Sequence, residues 1–496
     1  MALSKYMLKK PVALIQQESE KGELKRTLTA ANLVSLGIGC IIGTGIFVMT
    51  GQAAAQFAGP AIILSFILAG CCCAFAALCY GELASMLPVS GSAYSYAYAS
   101  LGEIFAWIVG WLLLLEYGIA GSTVAVGWSG YIVSFLKDFH IIVPPEWAAA
   151  TGMKVTLASG AAGKAIFNLP AALGLSVVTM LLVVGVKESA TVNNIIVIIK
   201  VAVILLFIAF GLFYITPANW HPFLPANTGE YGHFGWSGVF HGASYIFFAY
   251  VGFEAVSTAA QEARNPQRDV PIGIVGSLTV CTILYILVSL VLTGIVKYTT
   301  LDVPDPIAVA VDAIHLPWLA FTVKIGAICG LSSVMLVLMY GQTRIFYTMA
   351  RDGLLPPLFS HVHPRFKTPW LNTILVGILS AVVAGMTPIE DLGDLVNLGT
   401  LMAFTIICFT VFYMRRKEPN LPRPFKVPFP KVTPWLGMAF CLFLISTLWA
   451  TFVALIPYFI LGFAIYFGYG IRHSRLRNHK ASPIEFAQAA SEADLA

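Results

Sequence analysis

Charged residues are scarce in this 496-residue chain, making up 11% of the sequence. Soluble domains carry about 25%. Apolar residues make up 58% of the chain, in runs of about 20 residues that are too long for the strands of a membrane barrel. A net charge of +5 on such a chain gives no reason to expect nucleic-acid binding. The sequence therefore predicts an all-α integral membrane protein whose surroundings are the lipid bilayer.

Patterns for catalysis, metal binding and disulfides are also missing. All nine cysteines lie in apolar runs, and we expect small buried hydrophobic residues rather than disulfides or metal ligands. The histidines of the predicted outer loops share no metal-like spacing. We therefore expect that the protein is not an enzyme and that it binds no metal or cofactor. The charged N-terminus has no signal-peptide pattern, and we expect no cleavage there.

The apolar runs predict twelve transmembrane helices, at about 31–58, 61–85, 103–135, 170–186, 190–215, 237–260, 272–298, 319–349, 370–387, 392–414, 433–452 and 454–471. With both termini cytoplasmic, most of the 29 lysine and arginine residues fall on the cytoplasmic side. Only Lys137, Lys154, Lys164 and Lys297 then face outward. The positive-inside rule favours this orientation, which predicts a multi-pass protein of the cell (plasma or inner) membrane.

The first span cannot be one continuous helix. Four glycines (Gly37, Gly39, Gly43 and Gly45) fall within nine residues at membrane depth. Each glycine weakens a helix by about 1 kcal/mol relative to alanine, and irregular backbone at that depth survives only inside protein or beside a cavity. Two interpretations stay open at this point: close helix packing through small residues, or a broken helix that binds solute.

The spans repeat in two halves of five. Residues 31–215 form the first predicted repeat and 237–415 the second, followed by two further helices at 433–471. A cytoplasmic N-terminal segment (1–30) precedes them and a cytoplasmic tail (472–496) follows. The sixth span has its own break near 247–254, at the position that matches the first. Because each half has an odd number of spans, the halves are inverted, and matched breaks in inverted halves indicate a transporter binding site.

Several motifs occur in the order found in one family. They are Gly43-Thr44-Gly45-Ile46-Phe47, Leu87-Pro88-Val89-Ser90-Gly91-Ser92-Ala93-Tyr94, Phe248-Ala249-Tyr250-Val251-Gly252-Phe253-Glu254, and Met349-Ala350-Arg351-Asp352-Gly353-Leu354-Leu355-Pro356 with Thr368-Pro369. The chain resembles the amino acid–polyamine–organocation (APC) transporters over about 25–475. Within that superfamily it is most similar to bacterial relatives of the cationic amino acid transporters, although animal members have fourteen spans. The resemblance implies a LeuT-type fold, a 5+5 inverted repeat with helices 1 and 6 broken.

The resemblance also implies how an amino acid would bind between the breaks. Its carboxylate would meet the amides of Thr44 and Gly45, beside Gly43, and its ammonium the carbonyls of Ile41, Phe248 and Val251. Side chains that would line the pocket include Leu338 and Met339 of the eighth span. We expect the side chains that line this pocket to be apolar. Such a pocket favours small neutral substrates such as alanine, because a desolvated cation without a counter-ion is costly.

Three ionisable residues lie deep in the spans: Glu116, Lys200 and Glu254. Charges at such depth are functional candidates, and burial disfavours the charged form of lysine, so Lys200 could exchange a proton. By resemblance its ammonium would face the carbonyls of Gly39 and Ile42 and the hydroxyls of Ser332 or Ser333.

Alternatives remain open for all three residues. Lys200 could be a permanent ion-pair partner of Glu116 or Glu254. Glu254 could cap the broken turn instead of titrating, and Glu116 could complete a relay with Lys200. Lys324 is expected to extend to the outer interface. Glu82 and Glu103, which flank the short loop between spans 2 and 3, are expected to be solvated.

These expectations predict a secondary active transporter that carries an L-amino acid with a proton by alternating access. A cationic amino acid transporter (for arginine or lysine) or an exchanger is the alternative, and a channel or facilitator is the rival from another class. The predicted partners are the amino acid, the proton and the lipid bilayer, with no nucleic acid; a small membrane-protein partner is left open.

Overall fold

The computed structural model describes residues 7–11, 27–87, 92–157, 160–185 and 190–478, apart from the side chains of 190–192. Most of the predicted cytoplasmic segments 1–30 and 472–496 lies outside the described residues. Lys187, which supported the predicted orientation, and residues 88–91 of the motif before the third span also lie outside them.

The described chain is mostly helical. Its α-helices are α1 (Ala30–Ile41), α2 (Thr50–Ala53), α3 (Ile62–Met86), α4 (Ser92–Ser100), α5 (Glu103–Asp138), α6 (Leu169–Val184), α7 (Ala190–Gly211), α8 (Gly235–Ile246), α9 (Pro266–Ile295), α10 (Pro306–Ala313), α11 (Pro317–Arg351), α12 (Trp370–Met386), α13 (Ile389–Lys417), α14 (Thr433–Thr447), α15 (Trp449–Ala454), α16 (Ile456–Ile465), α17 (Ile471–His473) and α18 (Arg475–Asn478).

Tighter and wider helical turns connect several of these helices. The π-helical turns are Gly45–Met49, Ala54–Ala58 and Tyr466–Gly470, and the 3₁₀ segments are Gly59–Ala61, Pro145–Trp147, Leu212–Tyr214, Pro217–Trp220, Phe247–Tyr250, Phe253–Glu262, Tyr298–Thr300 and Pro357–Ser360. One exception departs from the predicted all-α chain. Strands β1 (Lys154–Thr156) and β2 (Ala162–Lys164) form an antiparallel hairpin in the loop between α5 and α6, with Val155 opposite Gly163.

Every predicted span contains helix. Eight helical segments are long and apolar enough to cross a membrane, and α1, α6, α12 and α14 are shorter apolar helices. Gly45–Met86 counts as one of the eight although it covers parts of two predicted spans. The protein is thus a multi-pass membrane protein, and the count of twelve crossings stays a prediction.

The start of α1 is capped and tied to the second broken span. The Thr29 hydroxyl accepts from the Asn32 N–H, and the Asn32 side chain accepts from the Thr29 N–H, a reciprocal cap that stabilises the first turn. Just before it, the Leu28 N–H donates to the Glu262 carbonyl at 2.9 Å, and the Arg264 N–H donates to the Leu28 carbonyl at 2.8 Å. The chain before α1 therefore lies beside the end of segment 253–262.

The prediction of a solvated Glu82 is wrong. Its side chain is buried at the end of α3, where it binds Arg415 and lies 3.4 Å from Nε of Arg423. The Val427 N–H also donates to it at 2.9 Å. The loop after α13 folds back over α3, and the two guanidinium groups supply the charge that a buried carboxylate requires.

The prediction of a solvated Glu103 is wrong for a similar reason. This carboxylate, at the first residue of α5, is fully buried. It accepts hydrogen bonds from Arg477 (2.5 Å), Tyr466 (3.0 Å), Tyr98 (3.3 Å) and Ser474. The last described residues of the chain thus cover the start of α5.

Segments near the two ends of the chain meet on one face of the protein. Lys10 Nζ lies 2.9 Å from Oδ1 of Asp352, and the Arg475 N–H donates to the Asp352 carbonyl at 3.0 Å. The Leu8 carbonyl accepts from the N–H of Glu103 at 2.9 Å. An even number of spans requires such an arrangement, and the cytoplasmic location of this face stays a prediction.

Lys324 does not extend freely to the outer interface. Its side chain is buried, with Nζ 2.8 Å from Asp138 and 3.3 Å from Asp312. This lysine joins α11 to the end of α5 and to α10.

The prediction of buried cysteines is confirmed for seven of the nine. All nine cysteines lie in the described part of the chain, where none forms a disulfide, and seven of them are buried. Cys71 and Cys329 are exposed on the surface of the helices, because α3 and α11 each turn one side away from the protein interior.

Candidate functional site

The first predicted break is present in the structure. Helix α1 ends at Ile41, and Ile42 has extended backbone angles (φ −72°, ψ 99°). The chain becomes helical again in the wider turn Gly45–Met49. A helix end leaves backbone carbonyls without helical partners, so the end of α1 offers acceptors to neighbouring groups.

Two side chains from other helices use these acceptors. Lys200 of α7, which is fully buried, donates from Nζ to the Gly39 carbonyl at 2.8 Å. The Tyr285 hydroxyl of α9 donates to the Ile41 carbonyl at 2.9 Å. A cation at the C-terminal end of a helix is also favoured by the helix dipole. The end of α1 is therefore held to α7 and α9.

The second break has a different backbone. Helix α8 ends at Ile246 and continues as the tighter turn Phe247–Tyr250. Val251 is extended (φ −58°, ψ 131°), and Gly252 has φ +120°, a conformation that side-chain-bearing residues rarely adopt. Segment 253–262 then follows as 3₁₀ helix.

A carboxylate closes this second break. Glu254 Oε2 accepts from the Gly252 N–H at 2.9 Å, which is the contact that a capping role requires. Its Oε1 accepts from the Tyr117 hydroxyl at 3.4 Å. Glu116 is fully buried beside it, close enough for the two carboxyl groups to interact. Among the described residues neither Glu116 oxygen has a hydrogen-bond partner of normal geometry, although Thr400 is a polar neighbour.

The two breaks lie in direct contact. A Cβ atom on Gly45 would overlap Cα of Ala249, and one on Gly252 would be 2.9 Å from the carbonyl group of Cys40. Neither position leaves room for a side chain. The structure thus brings together the two broken segments that the sequence predicted in spans 1 and 6.

The eighth predicted span approaches the first break at Gly43. A Cβ on Gly43 would lie 3.4 Å from Val334 of α11, an ordinary contact. The adjoining Thr44 is fully buried, packs against Gly127 of α5, and has a hydroxyl oxygen without a partner in the described part of the chain. A buried hydroxyl without a partner is costly, so Thr44 is suited to bind a polar ligand group.

The side chains predicted to line the pocket are apolar and almost fully buried. Phe248 and Val251 belong to the second break, and Leu338 and Met339 belong to α11. Met339 Sδ would lie 3.0 Å from a Cβ on Gly121 of α5. Leu338 and Met339 therefore face the interior of the helix bundle rather than lipid.

The other predicted partners of Lys200 have these positions. The Ile42 N–H donates to the Ile38 carbonyl within its own helix. The predicted contact is with the Ile42 carbonyl. The Ser332 hydroxyl donates to a carbonyl one turn earlier in α11 and accepts from the Trp128 indole at 2.9 Å. Ser333 is buried on α11. Of the predicted contacts, the structure shows that of Lys200 with Gly39, and the contacts with Ile42, Ser332 and Ser333 stay predictions.

Comparison with known proteins identifies the family of this chain. The model of a family described as amino acid permease matches residues 28–468. The chain belongs to the amino acid permease family. This result confirms the resemblance to the APC transporters and implies an amino acid substrate and a position within a membrane.

Two bacterial relatives of this permease match over nearly their whole length. The methylthioribose transporter of Bacillus subtilis is 48% identical, over 96% of this chain and all of its own. The branched-chain amino acid permease BcaP of the same organism is 47% identical, over 93% of this chain and 97% of its own. A vacuolar cationic amino acid transporter 4 of Arabidopsis thaliana is 38% identical, over 80% of this chain and 64% of its own. The family is a class of transporters rather than of enzymes.

Sequence reasoning missed two residues that hold the broken helices of the permease. Tyr285 carries no sequence signal, because buried tyrosines are common in apolar helices. Asn397 does carry one, since it is an amide within the apolar run Leu395–Leu401. Its side chain is fully buried, and its Nδ2 donates to the Tyr245 carbonyl at 2.8 Å.

Proposed function

We propose that this permease is a secondary active transporter that moves an L-amino acid together with a proton by alternating access. The contact of the Lys200 ammonium with the Gly39 carbonyl is the observation that carries this proposal. It joins a buried, ionisable side chain to the broken helix that would bind the substrate. A change in the charge of Lys200 would therefore change the strength of the hydrogen bond that joins α7 to the end of α1.

The backbone of the two breaks suits a zwitterion. The amides of Thr44 and Gly45 would receive the carboxylate, and the Thr44 hydroxyl, which has no partner among the described residues, supports this assignment. The carbonyls of Ile41, Phe248 and Val251 would receive the ammonium. Tyr285 occupies one lone pair of the Ile41 carbonyl, and a carbonyl oxygen has two.

The apolar pocket favours a small neutral side chain, such as that of alanine. The burial of Phe248, Val251, Leu338 and Met339 supports this choice, because these side chains offer no charge to a cationic substrate. The name of the Bacillus subtilis branched-chain permease makes valine and leucine the first competitors to test.

A cationic substrate is the second candidate, and one observation favours it. The Glu116 carboxyl group is buried and has no hydrogen-bond partner of normal geometry among the described residues. An arginine or lysine side chain that reached it would supply the missing partner. Transport or exchange of cationic amino acids would then replace transport of alanine.

Proton coupling would act through the inner half of the first broken span. In its charged form Lys200 holds α7 to the end of α1, and this contact supports a closed inner side. Loss of the proton to the cytoplasm would weaken the contact, since a neutral amine is a poorer donor than an ammonium. The adjoining carboxyl groups of Glu116 and Glu254 would hold a second proton, because two ionised carboxylates in contact repel each other.

Uptake into proteoliposomes tests the proposal. An imposed pH gradient, acid outside, should drive accumulation of labelled alanine above its equilibrium level. The Lys200→Met variant should lose accumulation and keep measurable binding, and Lys200→Arg should fail as well, because guanidinium does not release its proton.

A matched control is Lys324→Met, which removes a different buried lysine, in α11. This variant should keep pH-driven accumulation. Equilibration of alanine without accumulation in the unmodified protein would indicate a facilitator or channel. Accumulation that persists in Lys200→Met would exclude Lys200 as the coupling group.

The proposed location is the cell membrane, with both termini cytoplasmic. The excess of lysine and arginine on that side supports the orientation. The meeting of segments near both chain ends at Asp352 supports a shared side.

A further inference from the structure

Asn397 makes a contact in the second predicted half of the permease that resembles the contact of Lys200 in the first. Lys200 is in α7, within the fifth predicted span, and donates to a carbonyl in the last turn of α1. Asn397 is in α13, within the tenth predicted span, and donates to the Tyr245 carbonyl in the last turn of α8. In each predicted half, the fifth helix thus holds the last α-helical turn that precedes the break.

The surroundings of Asn397 are tightly packed. One turn earlier in α13, a Cβ on Gly393 would lie 2.5 Å from the Met49 side chain and 3.6 Å from the Tyr245 ring. This close approach lets Asn397 reach the backbone of α8. Its Oδ1 has no partner among the described residues, so the hydrogen bond from Nδ2 to Tyr245 is what orients the amide.

The two contacts hold opposite ends of the transport pathway in the predicted orientation. Helix α1 follows the cytoplasmic N-terminal segment, so Lys200 holds an inner half-helix. Helix α8 follows the outer loop that contains Pro217–Trp220, so Asn397 holds an outer half-helix.

We infer that Asn397 is a positioning residue that holds α8 against α13 and thereby limits the opening of the outer side of the permease. This inference rests on the proposed alternating-access function. An amide does not titrate, so the outer contact does not depend on the protonation of its donor, whereas loss of a proton from Lys200 would weaken the inner contact. The two contacts then differ in their response to pH, because the Lys200 ammonium can lose its charge and the neutral Asn397 amide has none to lose.

Accessibility of the buried Cys40 measures this role. Cys40 adjoins the second break at Gly252, so a membrane-impermeant maleimide reaches it from outside only when the outer side opens. Labelling is followed by mass spectrometry of the Cys40 peptide, in right-side-out and in inside-out vesicles. We expect Asn397→Leu, which keeps the number and branching of side-chain heavy atoms and removes the donor, to raise the outside labelling rate about threefold to tenfold, the effect of one buried hydrogen bond. Labelling from inside should not rise.

Thr410→Val is the matched control. Thr410 is equally buried on α13, and its hydroxyl donates at 2.7 Å to a carbonyl of its own helix. Loss of that bond should leave labelling unchanged from both sides. Equal outside labelling in Asn397→Leu and the unmodified protein would overturn the inference.

Asn397→Asp supplies an independent signature if Asn397→Leu does not fold. A protonated aspartic acid can donate to the Tyr245 carbonyl and an ionised one cannot, so outside labelling should rise with pH in this variant more than in the unmodified protein. Other titratable groups near this end of α8 and α13 are Glu390, Asp391, Asp394, Asp302 and His241, with Glu116 on α5. They are present in both proteins, so the difference between the two pH profiles reports position 397.

The same vesicles separate this inference from the proposed function. If the unmodified protein fails to accumulate alanine under a pH gradient, the proposed coupling is wrong, whatever the labelling shows. If accumulation is normal and the pH profile of Asn397→Asp matches that of the unmodified protein, the role of Asn397 is wrong and the proposed function stands.

Discussion

The two breaks carry groups of opposite charge. At the first, the carbonyls at the end of α1 meet the Lys200 ammonium, and at the second, the Gly252 N–H meets the Glu254 carboxylate. A helix presents a partial negative charge at its C-terminal end and a partial positive charge at its N-terminal end. Each break is therefore stabilised by the charge that complements it. The comparison shows that the backbone polarity at each break matches the charge of the ionisable side chain that binds there.

Packing is the feature that the two breaks share. Gly45 contacts Ala249, and Gly252 contacts Cys40, so each break presses a glycine against the other. A zwitterion between them would meet backbone from both halves. A side chain at either glycine would separate the two breaks.

Gly45→Val should have the largest effect, because it acts on both breaks at once. A Cβ at this position would overlap the Ala249 Cα, so the second break must move. We expect loss of alanine binding and uptake, with a cost in stability of about 1–3 kcal/mol from overpacking. Thermal-shift titration with alanine measures both quantities, because a ligand raises the melting temperature by mass action.

Gly43→Ala is the control for that variant. A Cβ on Gly43 would make an ordinary contact with Val334 at 3.4 Å, so binding should fall much less than in Gly45→Val. Normal alanine affinity in Gly45→Val would place the substrate elsewhere.

Glu254 separates the capping role from the proton role at the second break. Glu254→Gln keeps an acceptor for the Gly252 N–H and removes the ionisable group. We expect nearly unchanged stability and weaker pH-driven accumulation of alanine. Glu254→Ala removes the acceptor too and should cost a further 1–3 kcal/mol, roughly the penalty for an unsatisfied buried donor. Full accumulation in Glu254→Gln would leave capping as the role of this residue.

Met339→Ser and Leu338→Ser test the side-chain pocket between the breaks and α11. The smaller residue should widen the pocket, so leucine should compete better and alanine should bind about tenfold more weakly, as expected for lost apolar contact. Competition by alanine, leucine, arginine and lysine against labelled substrate measures the shift. An unchanged competition order in both variants would remove these two residues from the pocket.

Lys324→Met should have the smallest effect. Because Lys324 lies away from both breaks, this variant shows how much the loss of a buried lysine elsewhere in the bundle changes stability and transport. Its partners Asp138 and Asp312 are 42% and 52% exposed, so water screens the ion pairs. We expect a loss of about 1 kcal/mol in the free energy of unfolding, measured by thermal unfolding in detergent. A loss of pH-driven accumulation here would show that Lys200 is not alone in coupling.

The first break could be predicted from sequence because four glycines at membrane depth have a strong physical cost. The second, with the single glycine Gly252, is predicted from its matching position in the sixth span. The structure interrupts helix at Ile42 and at Val251–Gly252, within the predicted stretches. The contact of Lys200 with Gly39 was expected from family resemblance.

Contacts between distant parts of the chain could not be predicted in the same way. Glu82 and Glu103 lie at helix ends near a short loop, which suggests solvent, yet arginines far along the chain cover both. The hairpin of β1 and β2 is three residues per strand and has no alternating apolar pattern that would identify it. The roles of Asn397 and Tyr285 could not be predicted, because they depend on contacts with helices that are distant in the sequence.

Glu103 sets a condition on the order of biosynthesis. Its guanidinium partner, Arg477, is 374 residues later in the chain, so the ribosome releases the acid long before the base. A buried carboxylate without a partner is strongly unfavourable, so this end of the helix bundle cannot exclude water from Glu103 before Arg477 has been synthesised. Docking of α18 then completes the burial of Glu103, and a stop codon shortly before Arg477 would leave this carboxylate without its guanidinium partner.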